Sequence, residues 1–295
     1  MSDPRPRFLI IGAHGFVGEH LALRAAERYQ VVRADLRATS DQEIAIDITR
    51  PESVRAAFDR ARPSVVALLA ALSDIDQCER EPELAEIINV NGPEFVAREC
   101  ARMGARLIYT SSAAVFDGSQ HRYLESVPPT PVSVYGRTKA AAEVRILALS
   151  PDAILLRIAL VLGYGLRPGT NALLDKLQQS FRAGASVVVP VYEYRNPIDV
   201  GTLCDLILDL VGRPDARGIF HIGAIDSMSR YELVRRLAAR MGYSPDLVTP
   251  QKEPVAGRAP RGLDHFLVSE RLGQYSPRTL PDCAKVVENA LHAVA

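Results

Sequence analysis

The sequence lacks an excess of charge of either sign. Its 35 lysines and arginines balance 35 aspartates and glutamates over 295 residues, and no run of the chain is rich in Lys or Arg. Proteins that bind nucleic acid or an anionic membrane surface carry basic patches, because phosphate charges dominate those interfaces. The balanced charge therefore argues against nucleic acid and membranes as partners.

Cysteine and histidine are also scarce and scattered. The four cysteines, Cys78, Cys100, Cys204 and Cys283, form no Cys-x-x-Cys pair, and the six histidines show no spacing typical of metal ligands. Zinc sites and disulfide frameworks need such clusters. We therefore expect reduced, mostly buried thiols and no metal site.

Long apolar runs are missing as well. No segment holds about 18 uninterrupted apolar residues, the length that a membrane-spanning helix requires. The first apolar run stops at Gly12, which is too early for a secretory signal with its cleavage site. We therefore expect a cytoplasmic protein.

What the sequence does contain is an alternation of short apolar runs with helical stretches. The runs predict strands at Phe8–Ile11, Val31–Ala34, Ile44–Ile46, Val65–Ala70, Arg106–Tyr109 and Ala153–Leu156. Helical periodicity between them predicts helices at Val17–Arg28, Pro51–Arg60, Pro82–Met103 and Val132–Leu149. This order is typical of an α/β protein with a doubly wound parallel sheet that is covered on both faces.

A glycine-rich turn directly follows the first predicted strand. Gly12, Gly15 and Gly18 form a GxxGxxG pattern that leads into a helix, and such a turn lets backbone N–H groups bind a pyrophosphate. Asp35 ends the second strand, where a carboxylate can accept hydrogen bonds from ribose hydroxyls. The pattern predicts a Rossmann-type domain for a nicotinamide dinucleotide. Asp35 favours NAD, whereas the nearby Arg37 would attract the 2′-phosphate of NADP.

The composition changes after Gly163, where glycines, prolines and polar residues become frequent. Later segments predict a helix near Ala172–Ala183, a strand at Ser186–Pro190, a helix near Val200–Val211 and a strand at Gly218–Ile222. We expect residues 1–162 to form the dinucleotide-binding domain, with 196–222 returning to it. Residues 163–195 and 223–295 are expected to form a smaller C-terminal substrate-binding lobe.

Tyr135 and Lys139 are four residues apart on a predicted helix, so both side chains project from one face. A tyrosine with an ordinary pKa near 10 transfers protons poorly at neutral pH unless a nearby cation stabilises its phenolate. Lys139 and a cationic nicotinamide are together expected to lower the pKa of Tyr135 by about three units. Thr110, Ser111 and Ser112 end the fifth strand, where a serine can hold the reacting oxygen.

These motifs resemble those of the extended short-chain dehydrogenases/reductases, and within them the dTDP-4-dehydrorhamnose reductase branch. The similar stretches are GAHGFVG at Gly12, the block from Asp76 to Gly118, YGRTK at Tyr135, RNPIDV at Arg195, GIFHIGAIDSMSRYELVRRLA at Gly218 and APRGLDHFLVSERL at Ala259. The resemblance implies a catalytic triad of Ser112, Tyr135 and Lys139. It also implies that Asn89 supports the coenzyme site.

The resemblance further implies a nucleoside-diphosphate sugar as substrate, bound by Ser112, Asn171, Arg195 and Arg261. Asn171 and Arg195 match positions that hold the phosphates, and Arg261 matches a further cation. The predicted coenzyme contacts are Gly12, His14, Gly15, Phe16, Val17, Gly18, Asp35, Asp47, Ile48, Ala70, Ala71, Asn89, Tyr135 and Lys139. Asp47 either reaches the adenine amino group or caps the following helix. The helices at Pro82–Met103 and Val132–Leu149 resemble those that pair in family dimers, so a homodimer is expected, although their alanines could instead face the sheet.

One stretch departs from the reductase pattern. The reductases typically read STDYVFDG where this chain reads SSAAVFDG from Ser111 to Gly118. This form resembles sugar 4-epimerases, and it lacks the Asp-Glu pair that a 4,6-dehydratase needs. The leading hypothesis is NAD(P)-dependent reduction of a 4-keto sugar on a nucleoside diphosphate. The alternatives are an NAD-dependent 4-epimerase and a cofactor-binding regulatory subunit, since the regulatory subunit of methionine adenosyltransferase resembles the same branch.

Overall fold

A seven-stranded parallel sheet forms the centre of the protein, whose computed structural model describes residues 4–255 and 257–292. Its strands are β1 (Arg7–Ile11), β2 (Gln30–Asp35), β3 (Ile44–Ala45), β4 (Val65–Leu68), β5 (Arg106–Ser112), β6 (Ile154–Ile158) and β11 (Gly218–Ile222). They lie in the order β11-β6-β5-β4-β1-β2-β3. The chain changes direction across the sheet between β1 and β4, and the carboxyl ends of strands at such a switch point form a ligand-binding crevice.

Helices cover both faces of this sheet, which confirms the predicted doubly wound fold. They are α1 (Phe16–Ala25), α2 (Pro51–Ala61), α5 (Gly92–Met103), α6 (Val134–Leu149) and α8 (Val200–Val211). Because side chains alternate along a strand, Phe8 and Ile10 pack with α1 and α8 on one face. Leu9 and Ile11 pack with α2, α5 and α6 on the other. Each such buried side chain stabilises the fold by about 1.5–3 kcal/mol.

The helix predicted at Pro82–Met103 is present, but its winding changes in a way that the sequence did not predict. It follows α3 (Ile75–Arg80) and consists of α4 (Pro82–Glu86), a π-helical turn at Ile87–Asn91 and then α5. Pro93 explains the change in part, because a proline has no N–H to donate to the carbonyl of Asn89 four residues earlier. The wider π turn accommodates that gap, and such turns recur at functional sites.

The remaining elements lie outside the central sheet and are together termed the C-terminal lobe. Its helices are α7 (Leu173–Arg182), α9 (Arg230–Arg240) and α10 (Cys283–Leu291). Its strands are β7 (Val161–Leu162), β8 (Val187–Pro190), β9 (Tyr194–Arg195), β10 (Ile198–Asp199), β12 (Met228–Ser229), β13 (Val248–Gln251) and β14 (Asp264–His265). Phe181, Leu237 and Val286 share its apolar core. The division of the chain at residue 162 stays a prediction.

The sequence predicted buried, reduced cysteines and no membrane-spanning helix. All four cysteines are buried and carry free thiols. Within residues 4–255 and 257–292, no helix combines the length and the apolar character needed to cross a membrane.

Candidate active site

The glycine turn between β1 and α1 is packed so closely that side chains do not fit. A Cβ atom on Gly18 would lie 2.1 Å from the Gly12 oxygen, and one on Gly12 would lie 2.7 Å from the Ala70 nitrogen. Gly12 also has a φ of 89°, a conformation that other residues rarely adopt. Gly15 precedes α1 and has no side chain to cap it, so the helix N-terminus is open to a pyrophosphate. The residues present therefore fit a dinucleotide.

Asp35 lies beside this turn at the end of β2. Its Oδ2 accepts a 2.9 Å hydrogen bond from the His14 backbone N–H, and its Oδ1 accepts one of 2.8 Å from the Leu36 N–H. These bonds hold the carboxylate at the sheet edge, where a ribose would lie. The predicted contact of Asp35 with the ribose is therefore sterically reasonable.

Asp47 has a local structural role. Its Oδ1 accepts hydrogen bonds from the Thr49 N–H at 2.9 Å and the Thr49 hydroxyl at 2.6 Å. This turn precedes α2 without capping it, because the residue before α2 is Arg50. Ile48 is buried, and its side chain fills the space over Gly92. Contact of either residue with adenine stays a prediction.

Asn89 ties the loop after β4 to the helix that carries the Tyr-Lys pair. It is 1 % exposed, and its side chain bonds both the N–H and the carbonyl of Leu72 at 2.8 and 3.0 Å. Its Nδ2 also donates to the Thr138 hydroxyl at 3.3 Å. Asn89 thereby positions the loop that contains Ala70 and Ala71.

Ser112 and Tyr135 are brought together by the start of α6. Ser133 caps this helix by accepting a 3.1 Å hydrogen bond from the Gly136 N–H. A Cβ atom on Gly136 would lie 2.1 Å from the Ala114 oxygen, so the first helical turn packs directly on the turn after Ser112. The Ser112 side chain lies close enough to the Tyr135 hydroxyl to act on its pKa, which it lowers.

Lys139 lies one helical turn beyond Tyr135 and is 2 % exposed. Its Nζ is 4.2 Å from the centre of the Tyr109 ring, which supports a cation on its π face. Burial lowers the pKa of Lys139 to about 7, whereas the charge of Glu143 acts to raise it.

The pKa of Tyr135 differs from the sequence expectation. Burial raises the pKa of Tyr135 to about 12, although the hydrogen bond with Ser112 opposes this rise. The chain by itself therefore holds Tyr135 in the protonated state at neutral pH. A protonated phenol is the form required to donate a proton to a carbonyl oxygen.

A buried ion pair lies behind Lys139. Arg157 donates to Glu143 at 2.7 Å from Nη2 and 3.0 Å from Nε, and the Ser111 hydroxyl donates to the same carboxylate. Glu143 and Arg157 are 2 % and 1 % exposed. A buried charge is tolerated only with such pairing, and Glu143 is four residues after Lys139, on the same helix face.

Two neighbouring cavities lie near Ser112, between the sheet and the C-terminal lobe. The first is about 70 Å³ and is lined in part by Ser112, Arg195, Arg261 and His265. The second is about 300 Å³, includes Arg258, and shares Arg261 with the first. A larger cavity of about 490 Å³ lies by α1, α8 and α10, and the described residues that line it include none of the predicted site residues.

The predicted substrate ligands differ in their surroundings. Arg261 lines both cavities near Ser112 and pairs with Asp76 through two contacts of 3.0 and 2.7 Å. Arg195 directs its guanidinium at the carbonyls of Tyr194, Leu263 and Gly262, which leaves little of it for a phosphate.

Asn171 lies on the surface before α7, where its side-chain oxygen accepts a hydrogen bond from Lys176. Among the described residues that line the two cavities beside Ser112, Asn171 does not occur. Phosphate binding by Arg195 and substrate binding by Asn171 stay predictions.

Comparison with known proteins matches residues 6–294 to the family described as RmlD substrate binding domain. A dTDP-4-dehydrorhamnose reductase of Mycolicibacterium smegmatis is 33 % identical over 293 residues, which cover 98 % of this chain and 86 % of the relative. The chain belongs to the RmlD family. The predicted resemblance to dTDP-4-dehydrorhamnose reductases is thereby confirmed.

This chain is also similar to a protein with another described role and to a solved structure that contains a coenzyme. Methionine adenosyltransferase 2 subunit beta of Xenopus tropicalis is 29 % identical over 287 residues, 93 % of this chain and 85 % of that protein. The crystal structure of the Bacillus anthracis dTDP-4-dehydrorhamnose reductase in complex with NADP has a TM-score of 0.88 at 24 % identity and covers 97 % of this chain and 98 % of that one. The structural match shows the shared fold.

Sequence reasoning missed several residues of this RmlD-family site. His265 lines the smaller cavity, where burial and the nearby Arg195 lower its pKa to about 3. Its neutral ring donates from Nε2 to the Phe116 carbonyl at 3.1 Å. Arg258 and Asp76 were also missed. Only Glu143 had a usable local signal, its spacing of four residues from Lys139.

Proposed function

We propose that this protein is an NAD(P)-dependent reductase of a 4-keto sugar attached to a nucleoside diphosphate. The observation that carries the proposal is the closeness of Ser112 to a protonated Tyr135, next to a cavity lined by Ser112 and Arg261. The glycine turn that fits a dinucleotide lies at the same edge of the sheet. The protein is thus an oxidoreductase that uses a nicotinamide coenzyme.

Reduction of a ketone requires a hydride at carbon and a proton at oxygen. A bound reduced nicotinamide dinucleotide supplies the hydride. Tyr135 donates its phenolic proton to the carbonyl oxygen. A new C–H bond and a new O–H bond form, and the C=O double bond becomes a C–O single bond. Lys139 stabilises the phenolate that remains, and solvent returns the proton to Tyr135.

Ser112 supports the same oxygen. Its Oγ already accepts a 3.1 Å hydrogen bond from the Ala114 N–H, so its own proton is available for donation. A preorganised donor of this kind stabilises the negative charge that develops on the reacting oxygen.

The two cavities match the two ends of the proposed substrate. The cavity of about 70 Å³ lies beside Ser112, where the keto group of the sugar would react, and the cavity of about 300 Å³ is large enough for the nucleoside. Arg261 belongs to both and therefore lies where a diphosphate would connect the two parts. Its planar guanidinium can bind phosphate oxygens in pairs.

The test is oxidation of NADH and NADPH in the presence of a panel of nucleoside-diphosphate 4-keto sugars. Stoichiometric oxidation with one member of the panel supports the proposal and identifies the substrate. Before the assay, the purified protein is denatured and any released dinucleotide is identified by mass spectrometry. An empty site together with net oxidation is the result expected of a reductase.

Two other results would contradict the proposal. Tightly retained NAD, with interconversion of 4-hydroxy sugars and no net oxidation, would make the protein an epimerase. Dinucleotide binding without turnover of any sugar would favour a regulatory role, a reading to which the similarity to methionine adenosyltransferase 2 subunit beta lends weight.

A further inference from the structure

A cluster of charged side chains lies beside Asp35, and the proposed reaction does not use it. Its centre is Glu43, which precedes β3 and is 7 % exposed. Both Glu43 carboxylate oxygens face the His14 Nε2, at 3.1 and 3.0 Å. The Arg33 Nε lies 3.4 Å from Glu43 Oε1, and Thr39 donates its N–H and hydroxyl to Oε2 at 2.7 and 2.8 Å.

This cluster adjoins the coenzyme site directly. The backbone N–H of His14 donates to Asp35, and its ring contacts Glu43. Arg33 is two residues before Asp35 on β2, so the two side chains leave the strand on the same face. The Arg33 guanidinium also donates to the carbonyl of Ala13 in the glycine turn at 3.2 Å.

Glu43 is held in its ionised form. Burial by itself would raise the pKa of Glu43, but the hydrogen bonds from Thr39 and His14 outweigh burial and lower the pKa to about 2. The carboxylate is therefore charged throughout the physiological range, and it engages the His14 ring and Arg33 at the same time.

NAD and NADP differ only at the ribose that would lie against Asp35. NADP carries a 2′-phosphate there, and a protein that accepts it needs a nearby cation to pair with that charge. Three basic side chains occur next to Asp35: His14, Arg33 and the exposed Arg37. Glu43 contacts two of them, His14 and Arg33, and its own negative charge repels a phosphate.

We infer that Glu43 determines coenzyme choice: by holding His14 and Arg33 away from the ribose, it makes the site selective for NAD over NADP. The inference rests on the proposed function only in that a nicotinamide dinucleotide binds at the glycine turn. It assigns to Glu43 a role separate from the carboxylate of Asp35.

The test is Glu43→Gln, with the dissociation constants of NADH and NADPH measured by fluorescence titration in the absence of any sugar. Gln keeps the size of the side chain and removes its charge. The His14 ring then loses its carboxylate partner, and Arg33 keeps its 3.3 Å ion pair with Glu19 but loses the one with Glu43, so both can turn more readily to a 2′-phosphate. We expect the ratio of the NADPH constant to the NADH constant to fall at least about tenfold, equivalent to about 1.4 kcal/mol. Adding His14→Leu should reverse part of this gain.

Glu52→Gln is the matched control, because Glu52 is an exposed carboxylate that pairs only locally with Arg50. It should leave the ratio unchanged. Glu43→Asp provides a second variant if Glu43→Gln does not fold. Its shorter side chain withdraws from His14, and the ratio should move in the same direction by a smaller factor.

An unchanged ratio in folded Glu43→Gln overturns the inference, as does an equal loss of affinity for both coenzymes, which would mean that Glu43 only supports the loop. Failure of the proposed function is distinguishable. In that case the unmodified protein either binds neither dinucleotide, or binds them without reducing any sugar in the separate turnover assay.

Discussion

Tyr135 and Lys139 show opposite pKa shifts that have one cause, burial. Burial disfavours the charged form of each group, so the tyrosine pKa rises to about 12 and the lysine pKa falls to about 7. Both groups remain poised for reduction at neutral pH, because the phenol keeps its proton and a substantial fraction of Lys139 keeps its charge. The sequence pattern identifies the pair, but burial sets its titration.

Tyr135→Phe tests the proton donor. The variant removes only the hydroxyl, so dinucleotide binding should persist while kcat for ketone reduction falls by about a hundredfold or more, the usual scale for loss of a general acid. Tyr29→Phe is the control, since Tyr29 packs against Phe8 on the opposite side of the sheet from α6. Near-normal turnover of Tyr135→Phe would disprove the mechanism.

Glu143→Gln tests the electrostatic support of Lys139. Lys139 loses its positive charge as the pH rises through about 7, so kcat/KM for ketone reduction should decline over that range. Among the described residues, the Tyr109 ring, Cys78 and Glu143 are titratable groups that act on Lys139. Because the charge of Glu143 raises the lysine pKa, its removal should move the decline to lower pH by about one unit.

A pH profile separates this effect from simple destabilisation, which would lower activity without displacing the decline. Glu86→Gln is the control. Glu86 lies on α4 and pairs at the surface with Arg145, which is on α6 with Glu143. A decline at the same pH in Glu143→Gln and in the unmodified protein would show that Glu143 does not tune Lys139.

At the scale of elements, the site is assembled from strand ends and helix starts. The turn between β1 and α1, the loop after β4, the end of β5 and the first turn of α6 all meet at the carboxyl edge of the sheet. The π-helical turn before α5 adds Asn89, which joins two of these segments. The helix N-termini and the strand ends therefore place donors where anions bind.

Gly18→Ala tests the close packing of the first turn. The added methyl group would lie 2.1 Å from the Gly12 oxygen, and rigid backbone must shift to relieve the clash. We expect a loss of about 1–3 kcal/mol in the free energy of unfolding, together with a loss of dinucleotide affinity. Denaturant melts and coenzyme titrations measure both quantities.

Gly273→Ala is the matched control, because a Cβ atom on Gly273 meets no atom within 4 Å. It should leave stability and coenzyme affinity close to those of the unmodified protein. Unaltered coenzyme affinity in Gly18→Ala would mean that the turn does not carry the pyrophosphate.

At the scale of the whole molecule, Asp76 connects the sheet side of the cleft to the C-terminal lobe. It lies on α3 and accepts hydrogen bonds from the Ala259 N–H at 2.8 Å and from both terminal nitrogens of Arg261. Burial would raise the pKa of Asp76, but the hydrogen bond from Arg261 is the largest influence and lowers it to about 2. Arg261 of this pair lines both cavities near Ser112.

Asp76→Asn tests that connection. Loss of the charge should weaken the link by about 1 kcal/mol, the upper end for a partly exposed ion pair, and should speed backbone hydrogen exchange in residues 259–263. Exchange in β1 and β4 should stay unchanged. Asp152→Asn is the control, because it alters a well-exposed ion pair with Arg217. It should change hydrogen exchange neither in residues 259–263 nor in β1 and β4. Unaltered exchange at 259–263 in Asp76→Asn would contradict this account.

The sequence by itself determined the doubly wound fold, the glycine turn, the Tyr-Lys pair and the family. Of these predictions, the fold and the family are confirmed. Each depends on local patterns: alternation in strands, a helical spacing of four, or glycines three residues apart in a turn. The catalytic and binding roles, the dimer and the cytoplasmic location stay predictions.

Only the tertiary structure decided which charges meet. Arg261 pairs with Asp76, Arg157 with Glu143, and His14 with Glu43, and the partners in these pairs are far apart in the chain. The tertiary structure likewise places the Arg195 guanidinium where it donates hydrogen bonds to the carbonyls of Leu263 and Gly262. The physical reason is that electrostatic energy depends on distance in space and on burial, and neither quantity can be read from spacing along the chain.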